Sequence, residues 1–391
     1  MPDLSTPVDL LAFLNNGVFA SQSATPVSGG LGNYTFRLAL KTPYQGHHTA
    51  ILKHGKPYLP GMESMAFDLE RQRFEVEAMR YTKSIIQESA LVTVPEIYLL
   101  DSDAGIIIME DCAVSGSDTY TLTLKEYLLR TEGTRPSPPT KDIAHDIGVA
   151  LGLFLATLHN ESQNNTDILD KFDKNQQGRN LSAWVTYGRL HSTLSGEDTL
   201  PPLSDPPFEV SAADLEKIDR VGKKAQDLIR TSREALVHGD FWPGNMLVRF
   251  KPTSERHDEV EKIYLVDWEL VKPGSRGVEV GQLLGEVHQT SRFCEVNAPS
   301  AEALGEGFLE TYRKKVENEA KEVDLEQVAA AASVHIGAHL VIWTPRIWTS
   351  VEKEKIRGVV SDGVGFLVNS DSRDSLKKSP VGPLFTTLSP S

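Results

Sequence analysis

Tyr34, Phe36, Leu38 and Leu40 are large and apolar, and the residues between them are smaller or polar. That two-residue period is the signature of a strand with one buried face. Residues 49–53 predict the next strand, and the apolar run Ile106-Ile-Ile-Met109 predicts a buried one. Residues 69–79 predict a helix between them, and Thr6, Pro7 and Asp9 mark the start of a short helix near the N-terminus. After Cys112 the pattern becomes helical. Ile143, Ile147, Leu151, Phe154, Leu155 and Leu158 make one stripe over 142–160. Ser211 to Asp214 opens a capped helix to about Arg230, and 301–323 and 325–343 predict two more. Pro201, Pro202, Pro206 and Pro207 predict an irregular loop.

These elements imply an α+β chain of two lobes. The expected division is an antiparallel sheet lobe over 1–110, a mainly helical lobe over 111–369, and a poorly ordered tail over 370–391. A length of 391 residues suits two lobes, and 40% hydrophobic with 24% charged residues suits a globular chain. The net charge of −14 argues against nucleic acid or an anionic membrane as partner. Two distant cysteines, Cys112 and Cys294, form neither a disulfide framework nor a zinc spacing. No basic leader precedes the first apolar run, and no run approaches a membrane span. The expectation is a cytoplasmic monomer or homodimer.

The chemistry concentrates in His238-Gly-Asp240-Phe-Trp-Pro-Gly-Asn245 and in Ile263-Tyr-Leu-Val-Asp267. Met246 to Phe250 returns as Lys262 to Val266, a hairpin that sets Asn245 and Asp267 at the same end of a strand pair. An amide oxygen and a carboxylate are hard ligands suited to Mg²⁺, and Asp240 can orient an attacking hydroxyl. His238 is either a general base or a histidine that bonds the backbone of this loop, and Glu269 either touches a second metal or the substrate or is structural. The turn containing Gly29, Gly30, Gly32 and Asn33 allows close backbone approach to phosphates. Lys53 offers a positive point charge, with Glu75 as its candidate partner and Glu77 as the alternative.

Together these motifs resemble the aminoglycoside phosphotransferase and choline kinase superfamily, relatives of protein kinases. The resemblance spans about residues 20–365 and includes Met109-Glu-Asp-Cys112 as an interlobe hinge and Leu151 to His159. Arg71 to Glu75 and Gly274 to Gly281 are most similar to the methylthioribose kinase branch. Ile263 to Leu270 and Ala338 to Trp343 are similar to mushroom 4-hydroxytryptamine kinases. The resemblance implies a protein-kinase-like fold and ATP with Mg²⁺. Lys53 and Glu75 become a phosphate-holding pair, Met109, Glu110 and Cys112 an adenine pocket, Asn245 and Asp267 the metal ligands, and Asp240 the base. The implied reaction carries the γ-phosphate to a hydroxyl of a small molecule, a methylthioribose-like sugar or a hydroxylated aromatic amine. Aminoglycoside, choline and non-catalytic nucleotide binding are the alternatives. With no Ala-Pro-Glu segment after Asp267, a protein kinase is disfavoured. Trp242, His339 and Trp343 are the acceptor-lining candidates, with Trp184, Tyr187 and Trp348 beside them.

Overall fold

The alternation at 34–40 lies within strand Asn33–Tyr44, the second strand of a five-stranded antiparallel sheet. The order is Ser21–Pro26, Asn33–Tyr44, His47–Gly55, Ile106–Glu110 and Ile97–Asp101. Phe36, Leu38, Ala50, Leu52, Ile106 and Ile108 pack in one core with Leu10 and Leu14 of helix Pro7–Leu14. The Thr6 hydroxyl accepts the Asp9 N–H and caps that helix. Helix Glu70–Ile85 is longer than the predicted 69–79 and buries Phe74, Glu75, Val76 and Met79. The computed structural model describes residues 3–27, 30, 32–113, 120–251, 259–320 and 322–385.

A second sheet runs in the order Val92–Thr93, Glu259–Leu265, Met246–Lys251 and Tyr120–Thr123. Its hairpin register opposes Met246 to Leu265. These strands draw the chain into a compact unit made of Met1–Thr123 and Asn245–Val271, with Leu124–Gly244 and Lys272–Ser391 as the other unit. The division differs from the expected boundary at 110/111. Residues 120–123 and the hairpin share one ladder of backbone hydrogen bonds, so they stay together although distant in sequence.

The second unit is helical. Helix Lys141–Gln163 lies against Ala298–Glu319, and Arg276–Phe293 against Leu325–Ile347. A Cβ at Gly148 would stand 2.1 Å from the Leu304 carbonyl oxygen, and one at Gly152 2.4 Å from that of Phe308. The two backbones approach that closely only because glycine leaves the space. Lys141–Gln163 and Leu325–Ile347 are long and apolar enough to cross a membrane by length and composition, contrary to expectation, and most of each apolar stretch is buried inside the protein. Strand Ala235–Val237 pairs antiparallel with Lys272–Gly274.

Two loop expectations change. Pro201–Ser204 is a single helical turn, since proline at the first helical position gives up no hydrogen bond. Of the tail, residues 370–385 are ordered: Ser372 caps helix Arg373–Lys377, and Leu376, Val381 and Leu384 are buried. Residues 386–391 of the expected tail lie outside the described residues.

Candidate active site

In the first unit, strand His47–Gly55 sets Lys53 opposite Thr35 and Ile107. Its ammonium donates to Glu75 Oε1 at 2.5 Å and to Asp267 Oδ1 at 2.9 Å. Burial acts to depress the lysine, but Asp267, Glu75 and Glu269 outweigh it and hold Lys53 above its ordinary range. Glu75 is fully buried on helix Glu70–Ile85, and burial pushes its carboxyl upward. Of the two candidates for the lysine, Glu75 is the carboxylate at its side.

Asn245 and Asp267 lie at the same end of the hairpin, one residue before Met246 and two after Leu265. The Val266 N–H donates to the Asn245 carbonyl at 2.9 Å, just beyond the Met246–Leu265 pair. Asp267 adopts φ 68°, a left-handed conformation that aspartate tolerates better than most residues. Two positions on, Glu269 turns back toward the glycine turn. Its Oε2 accepts from Asn33 Nδ2 and from Arg71 Nε, both at 3.3 Å. Arg71 Nη2 also donates to the Gly32 carbonyl at 2.6 Å. A Cβ on Gly32 would stand 2.3 Å from Glu269 Oε2, so the glycine makes room for this carboxylate. Trp268 between them is fully buried and donates Nε1–H to the Leu265 carbonyl. Gly30 is open to at least 4 Å around its Cβ position, and Gly29 lies outside the described residues.

Burial and then the neighbouring Asp267 push Glu269 up to about 8. Three carboxylates, Glu75, Asp267 and Glu269, thus crowd around the cations Lys53 and Arg71. Asn245 and Asp267 carry oxygen donors of the hard type that a divalent cation such as Mg²⁺ takes. No group of three or more His, Cys, Asp or Glu side chains that could hold a metal ion occurs among the described residues.

The hinge candidates belong to the same unit. Met109 and Cys112 are buried, and burial raises the Cys112 thiol. The Glu110 carboxylate accepts from the Tyr264 hydroxyl at 3.2 Å and the Glu96 N–H at 3.2 Å. Asp111, between them, takes a two-pronged contact from Arg37 at 2.7 and 3.2 Å.

The base loop belongs to the second unit. Gly239 has φ 89°, which a side-chain-bearing residue adopts only under strain. Glu279, on helix Arg276–Phe293, accepts the His238 N–H at 3.0 Å and the Gly239 N–H at 2.8 Å. It also meets His159 Nε2 at 3.4 Å, and His159 Nδ1 meets the Tyr312 hydroxyl at 2.9 Å. His238 is fully buried and its Nδ1 accepts the Asp240 N–H at 3.1 Å, the geometry of a histidine bonding the loop backbone. Gln282, one turn beyond Glu279, donates Nε2–H to Asp240 Oδ1 at 2.6 Å. Lys272, buried next to the loop strand, donates to Ser182 Oγ at 2.9 Å, and burial brings it down to about 8.

Glu279 and Gln282 were not singled out from the sequence. A carboxylate and an amide three residues apart on a helix read as a solvated face, and only tertiary packing buries them. Of the acceptor candidates, His339 is buried with Nε2 at 3.0 Å from Glu286 Oε1, and Trp242 lies over Gly244. Trp343 goes elsewhere, against the core containing Leu190 and Ile342, with the Arg189 guanidinium over its ring.

The sequence model of the family described as "APH: Phosphotransferase enzyme family" matches residues 23–317. A 4-hydroxytryptamine kinase of Psilocybe cyanescens is 30% identical over 349 residues, 88% of this chain and 87% of that protein. A 4-hydroxytryptamine kinase of Psilocybe cubensis is 28% identical over 364 residues, 91% of each. Among solved structures, a putative aminoglycoside phosphotransferase of Ralstonia eutropha is similar with a TM-score of 0.48 at 17% identity, covering 92% of this chain and 97% of that one.

Proposed function

The chain belongs to the APH phosphotransferase family and is a small-molecule kinase, and from that premise we propose that it phosphorylates the hydroxyl of a hydroxylated aromatic amine such as 4-hydroxytryptamine. The acceptor class is that of the two Psilocybe relatives, which align over about nine-tenths of the chain. Free thiols at Cys112 and Cys294 suit a reducing cytoplasm.

The observation that carries the reading is the ion cluster of Lys53 on the five-stranded sheet, Glu75 on helix Glu70–Ile85 and Asp267 at the end of the hairpin that also presents Asn245. Lys53, aimed by Glu75, binds phosphate oxygens of ATP, and Asn245 and Asp267 are the residues that would hold Mg²⁺. When bound, that ion neutralises charge on the phosphate oxygens. Asp240 orients the acceptor O–H and takes its proton as the oxygen bonds to the γ-phosphorus and the bond to ADP breaks. Gln282 fixes one Asp240 oxygen, so the carboxylate need not be reoriented during the reaction.

Asp240→Ala should bind ATP nearly as well as the parent and lose turnover by about a thousandfold, within the range for general-base removal. Asp267→Ala should lose Mg²⁺-dependent nucleotide binding. ADP release with 4-hydroxytryptamine, methylthioribose, choline and an aminoglycoside measures the acceptor, and calorimetry measures nucleotide binding. Full turnover by Asp240→Ala, or tight ATP binding with no ADP release for any acceptor, would overturn the reading.

A further inference from the structure

Helix Arg276–Phe293 carries a second buried acid, Glu286, one turn past the Gln282 that holds Asp240. Its side chain is 3% exposed. Oε1 meets His339 Nε2 at 3.0 Å, and Oε2 accepts from Lys125 Nζ at 3.0 Å. Burial acts to raise this carboxyl, but His339 and Lys125 hold it below the ordinary range, so it is charged. The Lys125 ammonium is also enclosed by indoles, 5.0 Å from the ring centroid of Trp242 and 5.3 Å from that of Trp348. Trp348 is fixed in turn by its Nε1–H donating to Gln289 Oε1 at 3.1 Å.

One carboxylate and two indole faces converging on an ammonium make a cation site. Two features connect it to the reaction. Trp242 is two residues from Asp240, and its N–H donates to the Asp240 carbonyl at 3.1 Å. Gln282 and Glu286 are four residues apart on one helix face, which separates them by about 6 Å along the axis. His339 is a rigid, buried partner of Glu286. Lys125 is a long, flexible side chain on the five-residue helix Leu124–Leu128 and can swing aside.

We infer that Glu286, Trp242 and Trp348 form the subsite for the acceptor's ammonium group, and that Lys125 is its internal occupant, displaced when the amine binds. The assignment rests on the reading of the acceptor as a hydroxylated aromatic amine. It makes Glu286 the residue that selects cationic over neutral hydroxyaromatics, with His339 positioning it.

The test compares 4-hydroxytryptamine with 4-hydroxyindole, which lacks the aminoethyl arm. Both kcat/KM and calorimetric binding are measured for the parent, Glu286→Gln and Lys125→Met. The parent should prefer the amine. Glu286→Gln should lower that preference about tenfold or more, the loss expected for a charge-assisted contact. Lys125→Met should keep or raise it. An unchanged preference in Glu286→Gln, or a preference lost in Lys125→Met, overturns the subsite. Should Glu286→Gln fail to fold, Lys125→Met decides alone by the same criterion. If the parent releases no ADP with either compound, the reading of the acceptor as a hydroxylated aromatic amine fails, while the calorimetric preference still decides the subsite.

Discussion

Glu279 organises the base loop from outside it. Its carboxylate takes two consecutive backbone N–H groups while Gly239 turns through a left-handed φ. Glu279→Gln puts an NH₂ against one of those donors in a buried place. It should cost about 2–3 kcal/mol of stability and lower kcat more than nucleotide affinity, readable by thermal melting beside steady-state kinetics. His335 is a second buried group with a consequence for stability. Its Nδ1 lies 2.7 Å from the Tyr187 hydroxyl, and burial, then His339 and Lys272, depress it to about 3. The folded chain therefore refuses a proton that the unfolded chain accepts near pH 6.5. The stability this group contributes is fully present above pH 6.5 and is lost as pH falls toward 3. Between pH 6.5 and 5 the loss should be about 2 kcal/mol, and His335→Gln should flatten the pH dependence of unfolding in that window.

At the scale of elements, the pairing of helices Lys141–Gln163 and Ala298–Glu319 depends on glycine. Gly148→Val would drive methyl groups into the Leu304 carbonyl, and the backbones would have to part. The expected loss is at least 1–3 kcal/mol, the range for overpacking, seen as a lower urea midpoint; an unchanged midpoint would mean that the helices slide apart freely. The same contrast explains what could be read from the chain. The strand at 34–40 and the hairpin that unites Asn245 with Asp267 follow from local alternation and from a polar turn, so both were legible. So was Lys53 with Glu75, from a strand lysine and a helix acid. Glu279, Gln282 and Glu286 were not, because their spacing on a helix is also that of a surface. Only the packing of Leu325–Ile347 and the base loop around that helix turns the face inward. The turn chemistry at Gly32 was legible as a close approach, but what approaches is the carboxylate of Glu269, more than two hundred residues away. Residues 370–385 looked like a tail because three buried apolar side chains among Ser, Lys and Pro leave no periodicity.

At the scale of the molecule, each unit is assembled from two separate stretches of chain. A fragment ending at Thr123 keeps Lys53 and Glu75 but lacks Met246–Lys251, the strand that pairs with Tyr120–Thr123, and lacks Asn245 and Asp267. Such a fragment should show no Mg²⁺-dependent ATP binding by calorimetry, whereas adding 245–271 through a short linker should restore part of it. The discontinuity also has a meaning in time. A ribosome delivers the first 123 residues, then all of 124–244, before the hairpin emerges. At 5–20 residues per second that interval is on the order of ten seconds. Throughout it the strand Tyr120–Thr123 waits with an unpaired edge, and during synthesis the nascent chain is a natural client for a chaperone that shields such edges.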